Sequence, residues 1–357
     1  MKAVMTADLR VGYVPYSADL QHPGDRRRLN IISGINEIKI ETNKLANIDV
    51  LVLSNACNFQ KYISKFDCPI IIDLVDAYLA ERPNLIKDFS RNFVRFLNGT
   101  SSLRFLRYTS HIKYACSKAD AVIVATEEQS EFVRKLNSNV HIIIDDQSEM
   151  LNSRQSAILE PGGVERKYLF WEGLGYTLKH FESIADELQN FLIENNFYLK
   201  VLTNRKFPRW GGFIGSVDSE KMFKKMLPRA WQNVEIISWT TEEARKAARE
   251  SLIGIIPIDE SDNFAMFKPE NKLISMWAMG IPVICSPTPA YSRVAKNIDA
   301  ENMLCRKNWN NQLKLLAQDS TAREELIYKG RDYYDRYCTK EMLQKSWINA
   351  LNSVLEE

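Results

Sequence analysis

At 357 residues the chain is longer than one hydrophobic core usually serves, so the sequence predicts two domains. Hydrophobic residues make up 45% and charged residues 26% of the chain, the composition of an ordinary soluble globular protein. The formal net charge of +2 gives no broad electrostatic footprint for a nucleic acid, so we expect no nucleic-acid partner.

Short apolar runs alternate with longer helical patterns along the chain. Most runs are continuously apolar, which is typical of strands buried on both faces of a parallel sheet. The alternation predicts an α/β fold with two doubly wound, Rossmann-like domains. The runs cover residues 11–16, 49–54, 69–75, 121–125 and 141–144 in the first half, and residues 168–171, 199–203, 234–238, 252–258, 282–285 and 302–305 in the second.

Two of these strands are followed directly by a helix start. Thr126 and Thr240 each stand three residues before a glutamine or glutamate, the spacing of a capping box. The polar segment 147–166 interrupts the alternation and is the predicted domain boundary. We therefore assign residues 1–163 to an N-terminal domain, residues 164–338 to a C-terminal domain and residues 339–357 to a terminal amphipathic helix.

The sequence gives no indication that the protein is exported. The first residues are too polar for a signal peptide, and no apolar run approaches the roughly 18 residues of a membrane span. The six cysteines lack C-x-x-C spacing, and several lie inside apolar runs, which predicts reduced and mostly buried thiols. A cytoplasmic protein is expected.

Ligands of open α/β sheets bind at the carboxyl ends of the strands, so the loops after the strands are the candidate sites. In the first half, Gly24 would allow a ligand close to the backbone, and either Arg26 or Arg28 could clamp an anion, although a solvated basic helix start is the alternative. Asp73 and Asp76 end a strongly apolar strand, where carboxylates need a partner or a cleft. Asp76 could also simply cap a helix.

A charged loop in the second half precedes an apolar helix. The loop contains Lys268, Glu270, Asn271 and Lys272, and the helix is predicted over residues 273–279 with Gly280 as its C-cap. Two lysines and a carboxylate at a helix N-terminus suit a phosphate-bearing ligand with hydroxyl groups. The alternative is a solvated loop before an ordinary core helix.

This segment resembles the donor-binding loop and helix of GT-B glycosyltransferases of the family-four type. The resemblance implies a nucleotide-sugar donor bound by the C-terminal domain, a saccharide or lipid-linked acceptor at the N-terminal domain, a last helix that packs back onto the N-terminal domain, and hexosyl transfer in the synthesis of surface polysaccharide or glycoconjugate. The residues that carry it are Ala278, Gly280, Pro282, Val283, Ser286, Pro289 and Tyr291.

The resemblance also implies roles for single residues. Gly24 would lie between donor and acceptor, and Asp76, supported by Asp73, would contact the transferring sugar or act as a base. Trp239 lies where related enzymes place a residue against the nucleotide base, with a core tryptophan as the alternative. Glu172 and Gly173 stand where the family has a Gly-Arg pair, so Arg205 becomes a candidate for the missing cation.

The chain departs from the family at the paired glutamates of the E-x7-E motif, whose positions are held by Phe267 and Ser275. Glu270 could hold sugar hydroxyls in their place, while Lys268 and Lys272 hold phosphates. Neither the acidic residues nor the four dispersed histidines have metal-ligand spacing, so we expect no metal and no cofactor beyond the nucleotide sugar as co-substrate. A non-catalytic binding protein and a nucleotide-sugar epimerase remain alternatives.

Aromatic and basic residues interleave over residues 88–107. On a helix Phe89, Phe93, Phe96 and Leu97 would share one face, with arginines to the side, as in a helix that lies in a membrane interface. Amphipathic helices mostly face their own core, which favours a core-facing helix with solvated arginines. Peripheral membrane contact is the alternative.

Overall fold

The structure is a computed structural model that describes residues 9–42, 45–80, 85–102, 104–151, 167–208 and 215–355. The chain forms two compact units. The first comprises Met1–Asp146, Phe267–Pro269 and Tyr337–Glu357, and the second comprises Gln147–Met266 and Glu270–Arg336. The division falls between Asp146 and Gln147, whereas the boundary expected between residues 163 and 164 lies outside the described residues.

The first unit contains a six-stranded, wholly parallel sheet with strand order β2-β1-β3-β4-β5-β6. Its central strands β3 and β4 are buried at every position, which explains their continuous apolar sequences. The strands are Leu9–Val14 (β1), Ile38–Glu41 (β2), Val50–Ser54 (β3), Ile70–Leu74 (β4), Ala121–Val124 (β5) and Val140–Ile142 (β6), and the helices are Pro23–Ile32 (α1), Phe59–Ile63 (α2), Leu85–Leu97 (α3), Tyr108–Lys118 (α4) and Glu127–Val133 (α5).

The second unit contains a five-stranded parallel sheet with order β11-β8-β7-β12-β13, and an antiparallel pair β9-β10. Its strands are Tyr168–Glu172 (β7), Tyr198–Thr203 (β8), Lys206–Pro208 (β9), Ser216–Asp218 (β10), Val234–Ser238 (β11), Ile253–Ile256 (β12) and Val283–Cys285 (β13). Its helices are Ala185–Glu194 (α6), Ser219–Met226 (α7), Thr241–Arg249 (α8), Asn263–Met266 (α9), Asn271–Ala278 (α10), Pro289–Asn297 (α11), Trp309–Gln318 (α12) and Ser320–Tyr337 (α13).

One predicted strand is wrong, and three short strands were not predicted. The strand expected over residues 302–305 is a 3-10 turn, Glu301–Met303, followed by a single bridge between Leu304 and Cys285. The short strands β2, β9 and β10 were missed, since three or four residues carry too little apolar pattern. The predicted α/β architecture of two parallel sheets is confirmed.

The predicted helix ends are confirmed by hydrogen bonds. The hydroxyls of Thr126 and Thr240 accept from the backbone N–H groups of Gln129 and Glu243. Gly280, with φ of 78°, ends α10: its N–H donates to Trp277 O at 3.0 Å, and the next N–H donates to Met276 O at 3.0 Å. This pair of bonds is a Schellman motif, which requires the left-handed backbone that glycine adopts without strain.

The terminal helix, Lys340–Leu355 (α14), belongs to the first unit, as expected. Leu343, Trp347 and Leu351 are buried in the same core cluster as Val11 and Val52 on one face of the first sheet. A second cluster on the other face includes α4. The predicted return of the chain to the N-terminal domain is confirmed, because α14 completes one of its two core layers.

The helix α3 has the reverse of the expected orientation. Phe89 and Phe93 are 49% and 45% exposed, so the expectation that this apolar face packs on the core is wrong. The side chains of Arg91 and Arg95 instead lie over the ring of Tyr108, at 5.6 and 4.7 Å from its centroid.

All six cysteines are free, and five of them are buried. In the part of the chain that the structure describes, no helix is both long enough and apolar enough to span a bilayer.

Candidate functional site

An ion-paired cluster lies inside the first unit at the carboxyl ends of its central strands. Arg28 is 1% exposed, and it donates to both carboxylate oxygens of Asp73, at 3.0 and 3.1 Å, and to the carbonyls of Ile143 and Ile144. Asp145 lies 3.6 Å from the same guanidinium. Burial lowers the pKa of Arg28, but Asp73 and Asp145 outweigh it and hold the pKa above its ordinary value.

This cluster changes the interpretation of two predicted residues. Asp73 is fully buried and has its charge partner in Arg28, so its carboxylate is not exposed to solvent and supports the carboxyl end of the sheet. Of the two candidate arginines Arg28 is an interior residue, and Arg26 is the half-buried one.

The loop after β1 is tied to α1 by Asp25. Its carboxylate accepts from the backbone N–H groups of Tyr16 and Ser17, at 2.7 and 2.9 Å. Gly24 lies in the first turn of α1, where a Cβ atom would meet the Tyr16 ring at 3.1 Å, and its N–H donates to the Nδ1 atom of His22. Gly24 therefore permits the close approach of the loop to the helix.

Asp76 and Lys268, both predicted site residues, lie together in the first unit. The Nζ atom of Lys268 is 3.9 Å from Asp76 Oδ1, and the two side chains are 27% and 30% exposed. Burial raises the pKa of Asp76, Lys268 lowers it, and Asp145 raises it again, so that the net pKa is above its ordinary value. The neighbouring Phe267, at the first E-x7-E position, packs edge-on against Phe132.

A second constellation lies in the second unit around Glu172, the last residue of β7. Its carboxylate accepts from the Ser275 hydroxyl at 2.7 Å and from the indole Nε1 of Trp239 at 2.8 Å. Ser275 is the second E-x7-E position. The carboxylate of Glu172, on β7, thus lies beside Ser275 of α10, although α10 itself has no acidic side chain.

Lys272, in the first turn of α10, lies against the end of β7. Its Nζ atom is 4.4 Å from the ring centroid of Trp171, a cation–π contact. A Cβ atom on Gly173 would come within 2.5 Å of this Nζ and 2.8 Å of the buried Trp171 ring, so the glycine leaves room for both groups. Burial, with Lys272 and Lys179 nearby, lowers the pKa of His180 to about 4.

Other predicted residues of the second unit have protein partners. Glu270 is 1% exposed and pairs with Arg293 at 2.9 Å, and Tyr291 is also buried. Asn271 is half-buried at the start of α10. Arg205, after β8, is exposed and lies 3.4 Å from Glu220.

The structure therefore brings some predicted residues together and separates others. Lys272 and Trp239 both lie around the end of β7, whereas Glu270 and Tyr291 are interior residues. Sequence reasoning missed Glu172 as a site residue. The signal that selected Asp73 and Asp76, a carboxylate that ends an apolar strand, was present at Glu172 as well.

The comparisons with known proteins identify a fold. No protein-family model and no curated protein matches the sequence. Among solved structures, a variant of TarM from S. aureus in complex with fondaparinux, α-GlcNAc-glycerol and UDP matches with a TM-score of 0.58 and 12% identity, over 85% of this chain and 55% of that chain. The chain thus spans little more than half of the length of TarM.

Two further matches cover more of the other protein. WaaG, a glycosyltransferase involved in lipopolysaccharide biosynthesis, matches with a TM-score of 0.55 and 12% identity over 96% of this chain and 98% of WaaG. A UDP-forming α,α-trehalose-phosphate synthase from Burkholderia xenovorans matches with a TM-score of 0.58 and 10% identity over 86% and 74%. The chain has the GT-B fold of these proteins.

Proposed function

We propose that this chain is a hexosyl-type glycosyltransferase, similar to family four, that moves a sugar from a nucleoside-diphosphate sugar to a saccharide or lipid-linked acceptor. UDP in the TarM complex and the named activity of WaaG, both on the same fold, support this proposal. Fold alone does not define chemistry, so the argument depends on the residues at the sheet edges.

The observation that carries the proposal is the arrangement of Lys272, Glu172 and Trp239 at the end of β7. The departing diphosphate needs positive charge, which Lys272 and the N–H groups of the first turn of α10 can supply. Glu172 is 7% exposed and its carboxylate already accepts from Ser275 and Trp239, and its remaining lone pairs can accept from a sugar or ribose hydroxyl. The half-buried Trp239 ring offers a flat apolar surface to a base.

In the first unit, Asp76 is the proposed contact to the transferring sugar. A carboxyl group with a raised pKa holds a proton more readily than a free one, and the pKa of Asp76 is raised by burial while the side chain remains partly exposed. We propose no metal, because lysine and helix N–H groups can stabilise the leaving group without one. Synthesis of surface polysaccharide or glycoconjugate in the cytoplasm is the proposed setting.

Thermal unfolding with a panel of nucleotide sugars tests the donor, since a bound ligand raises stability by mass action. We expect stabilisation by a nucleoside-diphosphate sugar, followed by release of the nucleotide when an acceptor is present. Stabilisation without turnover would indicate a binding protein, and a rearranged sugar formed without acceptor would indicate an epimerase. Absence of stabilisation by every nucleotide sugar and nucleotide would refute the donor site.

A further inference from the structure

The helix α3, Leu85–Leu97, has its polar side turned inward and its apolar side turned outward. The inward positions are Asp88, Arg91, Asn92 and Arg95, which follow the i, i+3, i+4, i+7 spacing of one helix face. Globular proteins normally place such helices the other way round. The reversal leaves an apolar face exposed to solvent, and this exposure needs a reason.

The inward face is a hydrogen-bonded polar interface. Asp88 accepts from the backbone N–H and the hydroxyl of Thr109, and Asn92 donates to two carbonyls of the following loop, Ser102 and Phe105. Arg95 lies over the Tyr108 ring and donates to the Asn55 carbonyl. Because these buried polar groups have partners, the orientation of α3 is specified and is not an accident of weak packing.

The outward face is a continuous apolar strip. Ile86, Phe89, Phe93 and Leu97 are 81%, 49%, 45% and 61% exposed, and the rings of Phe89 and Phe93 stack at 6.4 Å. Leu106, in the loop after α3, is 70% exposed. Exposed apolar patches of this kind mark interaction sites.

Charge around this strip favours an anionic partner. Residues 85–107 contain five basic side chains and one acidic side chain, Asp88. Asp88 is buried by Thr109, whereas Arg104 and Arg107 are exposed beside Leu106. The exposed surface is therefore apolar and cationic, and its own carboxylate is turned away from solvent.

We propose that α3 and residues 104–107 form a membrane-docking surface that lies in the interface of a bilayer containing anionic lipid. Aromatic and aliphatic side chains enter the acyl boundary, while Arg104 and Arg107 bind headgroup phosphates. The two contributions add, because binding to the interface increases with the buried apolar area and with attraction to anionic lipid. This inference does not depend on the proposed donor site.

Vesicle co-sedimentation of the full chain tests the surface. We expect the wild type to sediment with vesicles of phosphatidylcholine and phosphatidylglycerol, and less with phosphatidylcholine alone. The double variant Phe89→Gln/Phe93→Gln should partition on the order of a hundredfold more weakly, because each ring that leaves water contributes roughly tenfold. Arg104→Gln/Arg107→Gln should bind both vesicle types equally.

A matched control exists in the second unit, where Leu315 and Tyr328 are 56% and 73% exposed. Leu315→Gln/Tyr328→Gln makes the same kind of change and should sediment like the wild type. Ile86→Gln provides an independent single variant if the double variant does not fold. The proposal is overturned if the wild type stays in the supernatant with both vesicle types, or if the Phe89 and Phe93 variant binds as the wild type does.

One further outcome would also overturn it. If the wild type self-associates without lipid and the Phe89 and Phe93 variant separates the copies, the strip is a protein interface. Nucleotide binding is measured on the same samples, so loss of vesicle binding with unchanged nucleotide binding separates this surface from the donor site.

Discussion

The same substitution at two neighbouring carboxylates should have opposite effects on stability. Asp73→Asn removes the charge opposite the buried Arg28, whose guanidinium donates two hydrogen bonds to the Asp73 carboxylate at 3.0 and 3.1 Å. Removing one partner of a buried ion pair costs roughly 3–5 kcal/mol. Because Asp145 remains 3.6 Å from the guanidinium, we expect the lower end, about 3 kcal/mol.

Asp76→Asn should leave stability unchanged or raise it slightly at neutral pH. Its contact with Lys268, at 3.9 Å, is long and partly exposed, and such pairs contribute about 0–1 kcal/mol. Burial raises the pKa of Asp76 above the ordinary 3.8, so its contribution to stability is complete below that pH and is lost as pH rises through the folded-state pKa. The amide side chain of the variant does not ionise, so the variant does not lose stability in this way as pH rises.

Fluorine NMR of fluorotryptophan-labelled protein can follow the first unit alone, because Trp347 is the one tryptophan in its three chain segments. The Trp347 transition of Asp73→Asn should fall by about 6–12 °C, and that of Asp76→Asn should match the wild type or rise. Turnover of Asp76→Asn should nevertheless drop with nucleotide affinity retained. An Asp73→Asn variant as stable as the wild type would contradict the buried-pair argument.

Four further predictions concern the second unit. Glu172→Gln should fold normally, since the amide oxygen can still accept from Trp239. Calorimetry should show that this variant binds UDP roughly tenfold more weakly than the wild type, whereas the control Glu182→Gln, at an exposed position, should bind like the wild type. Lys272→Met keeps an apolar side chain over Trp171 but removes the charge, and should weaken UDP binding by at least roughly tenfold. The control Lys246→Ala, on the exposed side of α8, should bind UDP like the wild type. If Lys272→Met binds UDP as tightly as the wild type, Lys272 is not part of the site. Gly173→Ala should destabilise by about 1–3 kcal/mol in urea, because its Cβ would lie 2.8 Å from the buried Trp171 ring, and should displace Lys272, whose Nζ would be 2.5 Å away. A wild-type midpoint would contradict the close packing of Gly173 against Trp171. The wild type should lose stability as pH falls from about 6.5 to about 4, because His180 has a folded-state pKa of about 4. His180→Asn should lose less stability over the same range. Parallel pH profiles of the two proteins would contradict the burial of His180.

The sequence by itself determined the fold class and the helix ends. Continuous apolar runs such as Val50–Ser54 are typical of a sheet covered on both faces, and their alternation with helical patterns predicts the α/β architecture without knowledge of any contact. Thr126, Thr240 and Gly280 act through hydrogen bonds to residues within one turn, so their effect can be predicted from spacing.

Only the tertiary structure decided the roles of the carboxylates. Asp73, Asp76 and Glu172 all end apolar strands, yet Asp73 pairs with buried Arg28, Asp76 lies partly exposed beside Lys268, and Glu172 accepts from Ser275, 103 positions further along the chain. A carboxylate at a strand end carries the same local signal in each case. Its burial and its partner, which set its charge state and its access to a ligand, come from distant segments.

The orientation of α3 was decided in the same way. Its periodicity defines two faces but does not say which one turns inward. The usual rule, that the apolar face of a helix packs on the core, gave the wrong orientation for α3. Partners from outside the helix, Thr109, Tyr108 and Asn55, satisfy the polar face in the interior and leave Phe89 and Phe93 exposed. The local sequence determines which side chains share a face of a helix, but the surface against which the helix packs decides which face turns inward.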